Sequence, residues 1–277
     1  MNKKLISTVL GGLGILGISS QALAYEVFTV NPNSIPGTSG FSTFQADSLS
    51  GVSSGQILLD ASTQTATESG YVSFTAFNLG GSAVSNFTSG LATAPAPDQY
   101  YGLYLDFTLT ASLVTGSFGA ANSTYNLDTL TFTLYADPDL NTTFTQASLI
   151  NAASIGGNIS DDIVLATGSL IIGQSNIILG GVALNSTTDF LTTAEGNAFF
   201  TSPIPFYEHM FDAFNNTGDA VIFGYDAATG CLTGECIVAV KSGVGTFDFK
   251  GVPEPATLAL LGIGLLGFGT SRLRKKA

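Results

Sequence analysis

The sequence predicts an all-β fold: one β-sandwich or jelly-roll-like domain between an N-terminal signal peptide and a C-terminal transmembrane helix. Three observations predict it. Stretches such as Tyr101–Leu113 and Thr129–Tyr135 alternate apolar with polar residues, the period of a strand with one buried and one wet face. Clusters of Gly, Asn, Asp and Pro punctuate the chain at short intervals, as turns do. An apolar run without charge lies near each end, Leu5–Ile18 and Ala256–Phe268.

The first segment, residues 1–24, has the three parts of a signal peptide. Lys3 and Lys4 form a charged start, Leu5–Ile18 an apolar run, and Ala22-Leu23-Ala24 a small-residue cleavage site. The mature chain is therefore expected to begin at Tyr25. Gly12-x-Gly14-x-x-Gly17 matches a dinucleotide fingerprint in letters, as does Gly262-x-Gly264-x-x-Gly267. Neither follows a strand inside a βαβ unit, so both are products of glycine-rich apolar segments.

Residues 25–251 are long enough for one domain with a sizeable core. Gly51-Val-Ser53-Ser-Gly55 has the letters of a nucleophile elbow, but no helix follows it, and a Ser- and Gly-rich chain produces the pattern by chance. Val72–Ala76 is a weaker alternating strand. Tyr101–Leu113 places its odd positions inside, and Thr129–Tyr135 repeats the pattern with threonine outside, where β-branched residues suit a pleated surface. Ile163–Ile172 and Ile177–Leu184 are more continuously apolar and read as central strands, separated by a turn at Gly173–Asn176. In Pro205–Phe214, Phe206, Met210 and Phe214 recur every four residues behind a proline, which predicts a short amphipathic helix. Ala220–Tyr225 is another short strand. Alternating strands in an exported chain also raise an outer-membrane barrel, but no aromatic girdle marks regular strand ends.

Charge excludes one class of partner. Residues 25–251 hold 19 acidic residues against Lys241 and Lys250, a net charge of −17. Such a surface repels phosphate backbones, so no nucleic acid is expected, and divalent cations are its natural counter-ions. Asp137-Pro-Asp139-Leu-Asn141 has calcium-loop spacing at three positions, yet Pro138 and the missing distal glutamate depart from an EF-hand. The alternative is an Asx-stabilised turn. Asp161 and Asp162 form a second acidic pair. These four aspartates are the candidate metal residues, with Ca²⁺ the ion considered and no other cofactor expected. Catalytic residues are not expected: His209 is the single histidine, and no nucleophile accompanies it and Glu208. Cys231 and Cys236, four residues apart, are expected to close a small disulfide loop outside the inner membrane.

Residues 252–277 complete the chain. Pro253 and Pro255 keep the backbone extended around Glu254. The run from Ala256 to Ser271 is 16 residues long, which as a helix spans roughly 24 Å, enough to cross a bilayer thinly. Arg272, Arg274, Lys275 and Lys276 then form a basic tail that stays cytoplasmic, leaving the domain outside. A plain tail anchor is the simpler alternative.

The order Val252-Pro253-Glu254-Pro255, apolar helix, terminal basic cluster resembles the PEP-CTERM sorting signal. That resemblance implies processing near the motif by an exosortase, an integral membrane protease, after a transient stay at the inner membrane. Phe44-Gln-Ala-Asp47-Ser-Leu-Ser-Gly51, Tyr101-Gly-Leu-Tyr104, Leu134-Tyr135-Ala-Asp137-Pro-Asp139 and Leu165-Ala-Thr-Gly168-Ser-Leu170 also resemble spaced blocks of flocculation-associated PEP-CTERM proteins. This second resemblance implies a non-enzymatic matrix protein that helps cells aggregate within exopolysaccharide, at the cell surface or beyond it. A secreted carbohydrate-binding module or polysaccharide-acting enzyme is the alternative, and the absence of tryptophan counts against its usual sugar platform.

Overall fold

A computed structural model describes residues 26–250 apart from 93–98, 179–180, 218–219, 224, 227–229 and 232–234. The all-β expectation holds: large antiparallel sheets surround one core. The main wall has eight long strands: β1 (Ser48–Asp60), β2 (Thr65–Leu79), β3 (Gly102–Thr115), β4 (Ser123–Asp137), β5 (Ile163–Ile178), β6 (Gly181–Asp189), β7 (His209–Thr217) and β8 (Glu235–Lys250). Each pairs antiparallel with the next, so the connectivity is a meander. β8 returns to pair with β1 from Glu235–Asp60 to Asp248–Ser48. The sheet thereby closes on itself, and its two facing walls share one interior.

Closure needs tight coiling, which glycine permits where strands cross closely. Gly55 faces Gly70 across β1 and β2, and a Cβ on Gly70 would lie 2.2 Å from the Ser54 carbonyl oxygen. The Gly51-x-Ser53-x-Gly55 pattern lies inside β1, with Ser53 fully buried, so it belongs to this coiling and not to an elbow.

Inward positions of β3 are Leu103, Leu105, Phe107, Leu109 and Ala111, as the alternation predicts. The outward rows carry Thr67, Thr108, Thr110, Thr129, Thr131, Asp106 and Asp128. Cross-strand hydroxyl contacts join Thr108 to Thr131 at 3.1 Å and Thr110 to Thr129 at 2.8 Å. These rows of β2, β3 and β4 are polar where a lipid-facing strand would be apolar. Among the described residues no helix is long and apolar enough to cross a membrane.

One end of the barrel is plugged by aromatics. Strand Phe28–Val30 pairs with Phe44–Ala46 and Phe200–Ser202. Phe28 packs on Phe249 at 5.1 Å, Phe206 at 5.9 Å and Phe200 at 6.0 Å, mostly edge to face. These rings cap the end at which β8 finishes.

Two local expectations are overturned. Pro205–Phe214 is not a helix: Phe206 is a buried plug residue outside regular structure, and β7 begins at His209. Burial of Met210 and Asp212, but not Phe211, gives β7 the period of a strand. Gly173–Asn176 is not a turn, since β5 runs unbroken through it. A Cβ on Gly173 would sit 2.6 Å from Leu127 Cδ1 and 2.8 Å from Ser186 Cβ, so the glycine serves close strand approach.

Candidate functional site

The sequence-predicted aspartates meet at the plugged end, on the outer wall. β4 ends in Asp137, and the following Asp-Pro-Asp turn leads into a small hairpin, Thr142–Thr145 with Ser154–Gly157. Asp137 is 3% exposed. Its carboxylate accepts backbone N–H groups from Thr142 at 3.0 Å, Asp139 at 3.2 Å and Asn141 at 3.4 Å. That is Asx-turn geometry, with the carboxylate standing in for backbone acceptors. Asp161 accepts from Asn141 Nδ2 at 3.1 Å, and Asp162 accepts from Thr142 Oγ1 at 3.1 Å. Asp139 enters through its backbone N–H, with its side chain exposed.

Tyr104 completes the cluster from β3, donating its hydroxyl to Asp162 at 2.5 Å. Burial pushes the Tyr104 phenol well above its ordinary value, and Asp162 adds to the effect. Burial likewise raises Asp162, against the hydrogen bonds from Tyr104 and Thr142 that lower it. The Tyr104 ring stacks on Tyr135 at 4.9 Å, while Phe144 of the hairpin lies 4.9 Å from Tyr71 and 5.4 Å from Tyr104. The tyrosines therefore seat the hairpin on the barrel wall.

Between hairpin and wall remains a cavity of about 290 Å³, lined by Tyr71, Tyr104, Tyr135 and Asp106 with Ile155 and Ile159. Asp106 stands on the outward face, and the part of its carboxyl shielded from water is enough to raise it against the backbone hydrogen bond from Phe107. Chemically the cluster is a clamp of carboxylates already engaged by protein donors, beside a small aromatic and acidic cavity. Among the described residues no group of three or more His, Cys, Asp and Glu is placed to hold a metal ion. Two oxygens, Asn141 Oδ1 and Asp161 Oδ1, are buried without a hydrogen-bond partner.

The remaining predicted sites fall elsewhere. His209 starts β7 between Asp189 and Lys250 in register, and its Nδ1 is buried without a hydrogen-bond partner. Cys236 is fully buried in β8 opposite Leu59. Cys231 pairs through its backbone with Tyr225, and its side chain lies outside the described residues. So do the signal cleavage residues Ala22 and Ala24, the motif Val252, Pro253, Glu254 and Pro255, and the basic tail Arg272, Arg274, Lys275 and Lys276.

β8 stays paired as far as Lys250, opposite His209. No curated protein and no solved structure matches the chain. A family model does: residues 251–275 match the PEP-CTERM protein-sorting motif, starting at the residue after the last barrel strand ends. The chain thus carries a PEP-CTERM sorting motif behind an all-β domain, the mark of an exported exosortase substrate.

Proposed function

We propose that this chain is a non-enzymatic matrix protein that promotes cell aggregation by associating with exopolysaccharide once exosortase has released it from the inner membrane. The sorting motif at residues 251–275 carries the reading. In sequence, Ala256–Phe268 would hold the chain in the membrane, the four basic residues behind it would stay cytoplasmic, and cleavage near Pro253-Glu254-Pro255 would free the domain. The net charge of −17 supports a soluble, self-repelling domain that divalent cations can screen or bridge. An oxidised Cys231–Cys236 loop fits the same exported setting.

The cavity lined by Tyr71, Tyr104 and Tyr135 favours a second reading, a carbohydrate-binding module acting without metal. The test is a deletion strain complemented with wild type or with Asp137, Asp139, Asp161 and Asp162 changed to asparagine, scored for flocs with and without chelator. The matrix reading expects loss of flocs on deletion and rescue by wild type. Normal flocs in the deletion strain overturn it. Rescue that resists chelation removes Ca²⁺ and leaves direct sugar recognition.

A further inference from the structure

We propose that the barrel wall opens between β4 and β5 into a groove that binds a neutral polysaccharide chain. The inference deepens the polysaccharide part of the function proposed above by giving it a place on the surface.

The opening is visible in the ladder. β4 and β5 pair from Thr167–Thr133 to Ser169–Thr131, and again from Gln174–Asn126 to Ile177–Ser123. Both stretches keep the same register, yet residues 170–173 do not pair with residues 127–130. The ladder breaks off and then resumes in register, with the Leu127 side chain lying against Gly173 inside the gap. Each strand carries a bulge within the gap, on the side paired to its other neighbour. On β4, Thr129 pairs with Thr110 and Leu127 with Ala111, so Asp128 is the extra residue. On β5, Leu170 pairs with Thr188 and Ile172 with Thr187, so Ile171 is extra. Bulges re-aim side chains and break pairing, and here they turn Asp128, Ile171 and Ile172 outward together. Ile171 and Ile172 are 52% and 68% exposed, an unusual cost for consecutive residues of a strand.

The resulting groove has a volume of about 770 Å³, within the roughly 300–1,000 Å³ typical of ligand sites. Its lining has two characters. Asn126, Gln174 and Asn185 sit opposite one another on β4, β5 and β6, forming a row of amides across three strands. Beside them Ile171, Ile172 and Phe211 supply an apolar strip. Sugar rings present hydroxyls at their edges and C–H groups on their faces. Amides both donate and accept, so the row matches the hydroxyls, while the strip covers the C–H faces.

Charge selects within that class. Asp128 lines the groove, and apart from Lys250, whose ammonium lies over the Phe211 ring, the domain around it is strongly acidic, so an acidic polysaccharide would be repelled. The gap in the ladder is four residues long on each strand, too short for a peptide to add as a strand of ordinary length.

The experiment is native gel electrophoresis of the exported protein, purified from its producing strain, in gels containing dextran, galactomannan or alginate. We expect retardation by at least one neutral polymer and none by alginate. Gln174→Ala with Asn185→Ala should weaken that retardation about tenfold, in line with two lost hydrogen bonds. Phe211→Ala should weaken it too, whereas Tyr135→Ala in the hairpin cavity should not. Gln174→Glu keeps the side-chain size and provides a further test should the double variant fail to fold; it should also weaken binding. Retardation by alginate alone, by neither neutral polymer, or unchanged in the groove variants overturns the proposal. A groove that fails these assays while the deletion strain still loses its flocs leaves the matrix role standing. Retardation with normal flocs in the deletion strain does the reverse.

Discussion

Replacing Asp212 with asparagine should stabilise the protein at neutral pH and leave it unchanged near pH 4. Asp212 lies on β7 between Ser186 of β6 and Phe247 of β8, and is 1% exposed. The Ser186 hydroxyl donates to its carboxylate. Burial raises the acid from 3.8 to about 6, against hydrogen bonds from Ser186 that lower it. A carboxyl raised in the folded state holds its proton more tightly there than in the unfolded chain. Stability is therefore highest below pH 3.8, falls as pH rises, and has lost the full increment above pH 6. The difference between those values corresponds to about 3 kcal/mol. Asparagine keeps an acceptor for Ser186 and carries no charge. Allowing for an imperfect replacement, a gain of about 2 kcal/mol at pH 7.5 should raise Tm by roughly 4–8 °C for a domain of this size. Asp248, also raised by burial to about 6, is present in both proteins and cancels in the comparison. The assay is thermal unfolding followed by circular dichroism at pH 4 and pH 7.5. A Tm lowered at pH 7.5 would mean instead that the charged carboxylate is well satisfied inside the barrel.

Other outcomes follow from the packing. Phe249→Ala removes the ring on which Phe28, Phe190 and Phe206 converge and should cost about 3–5 kcal/mol in denaturant titration. Gly70→Ala must push Ser54 and Gly55 backbone apart, costing about 1–3 kcal/mol and loosening the β1–β2 pair, seen as faster amide exchange there. Alkylation of the exported protein without reductant should leave Cys231 and Cys236 unmodified, while one or two added labels would exclude the disulfide.

The strands were most legible where one face is wet and the other packed. Leu103, Leu105, Phe107 and Leu109 betray β3 because the barrel wall separates core from water at every second residue. Pro205–Phe214 misled because a spacing of four residues satisfies both helical and strand periods. The residues between decide, and there Asp212 is buried while Phe211 is not. Gly173 looked like a turn because glycine serves equally for a bend and for close strand approach. Closure of β8 onto β1 joins residues almost two hundred positions apart, which no local pattern encodes. The aspartates of the hairpin clamp stood out as acidic pairs, but Tyr104, which holds Asp162, did not, since only the fold brings them together. The amide row was invisible for the same reason: Asn126, Gln174 and Asn185 become neighbours through register alone.

Export, sorting and release of the domain can be read from intact-mass analysis of the protein from culture supernatant. β8 holds the chain in the barrel as far as Lys250, and the sorting match begins at residue 251. The expected chain starts at Tyr25 and ends close to Pro253-Glu254-Pro255, without the apolar segment behind it. A supernatant protein that keeps Leu258–Phe268 and the basic tail under every growth condition would contradict it.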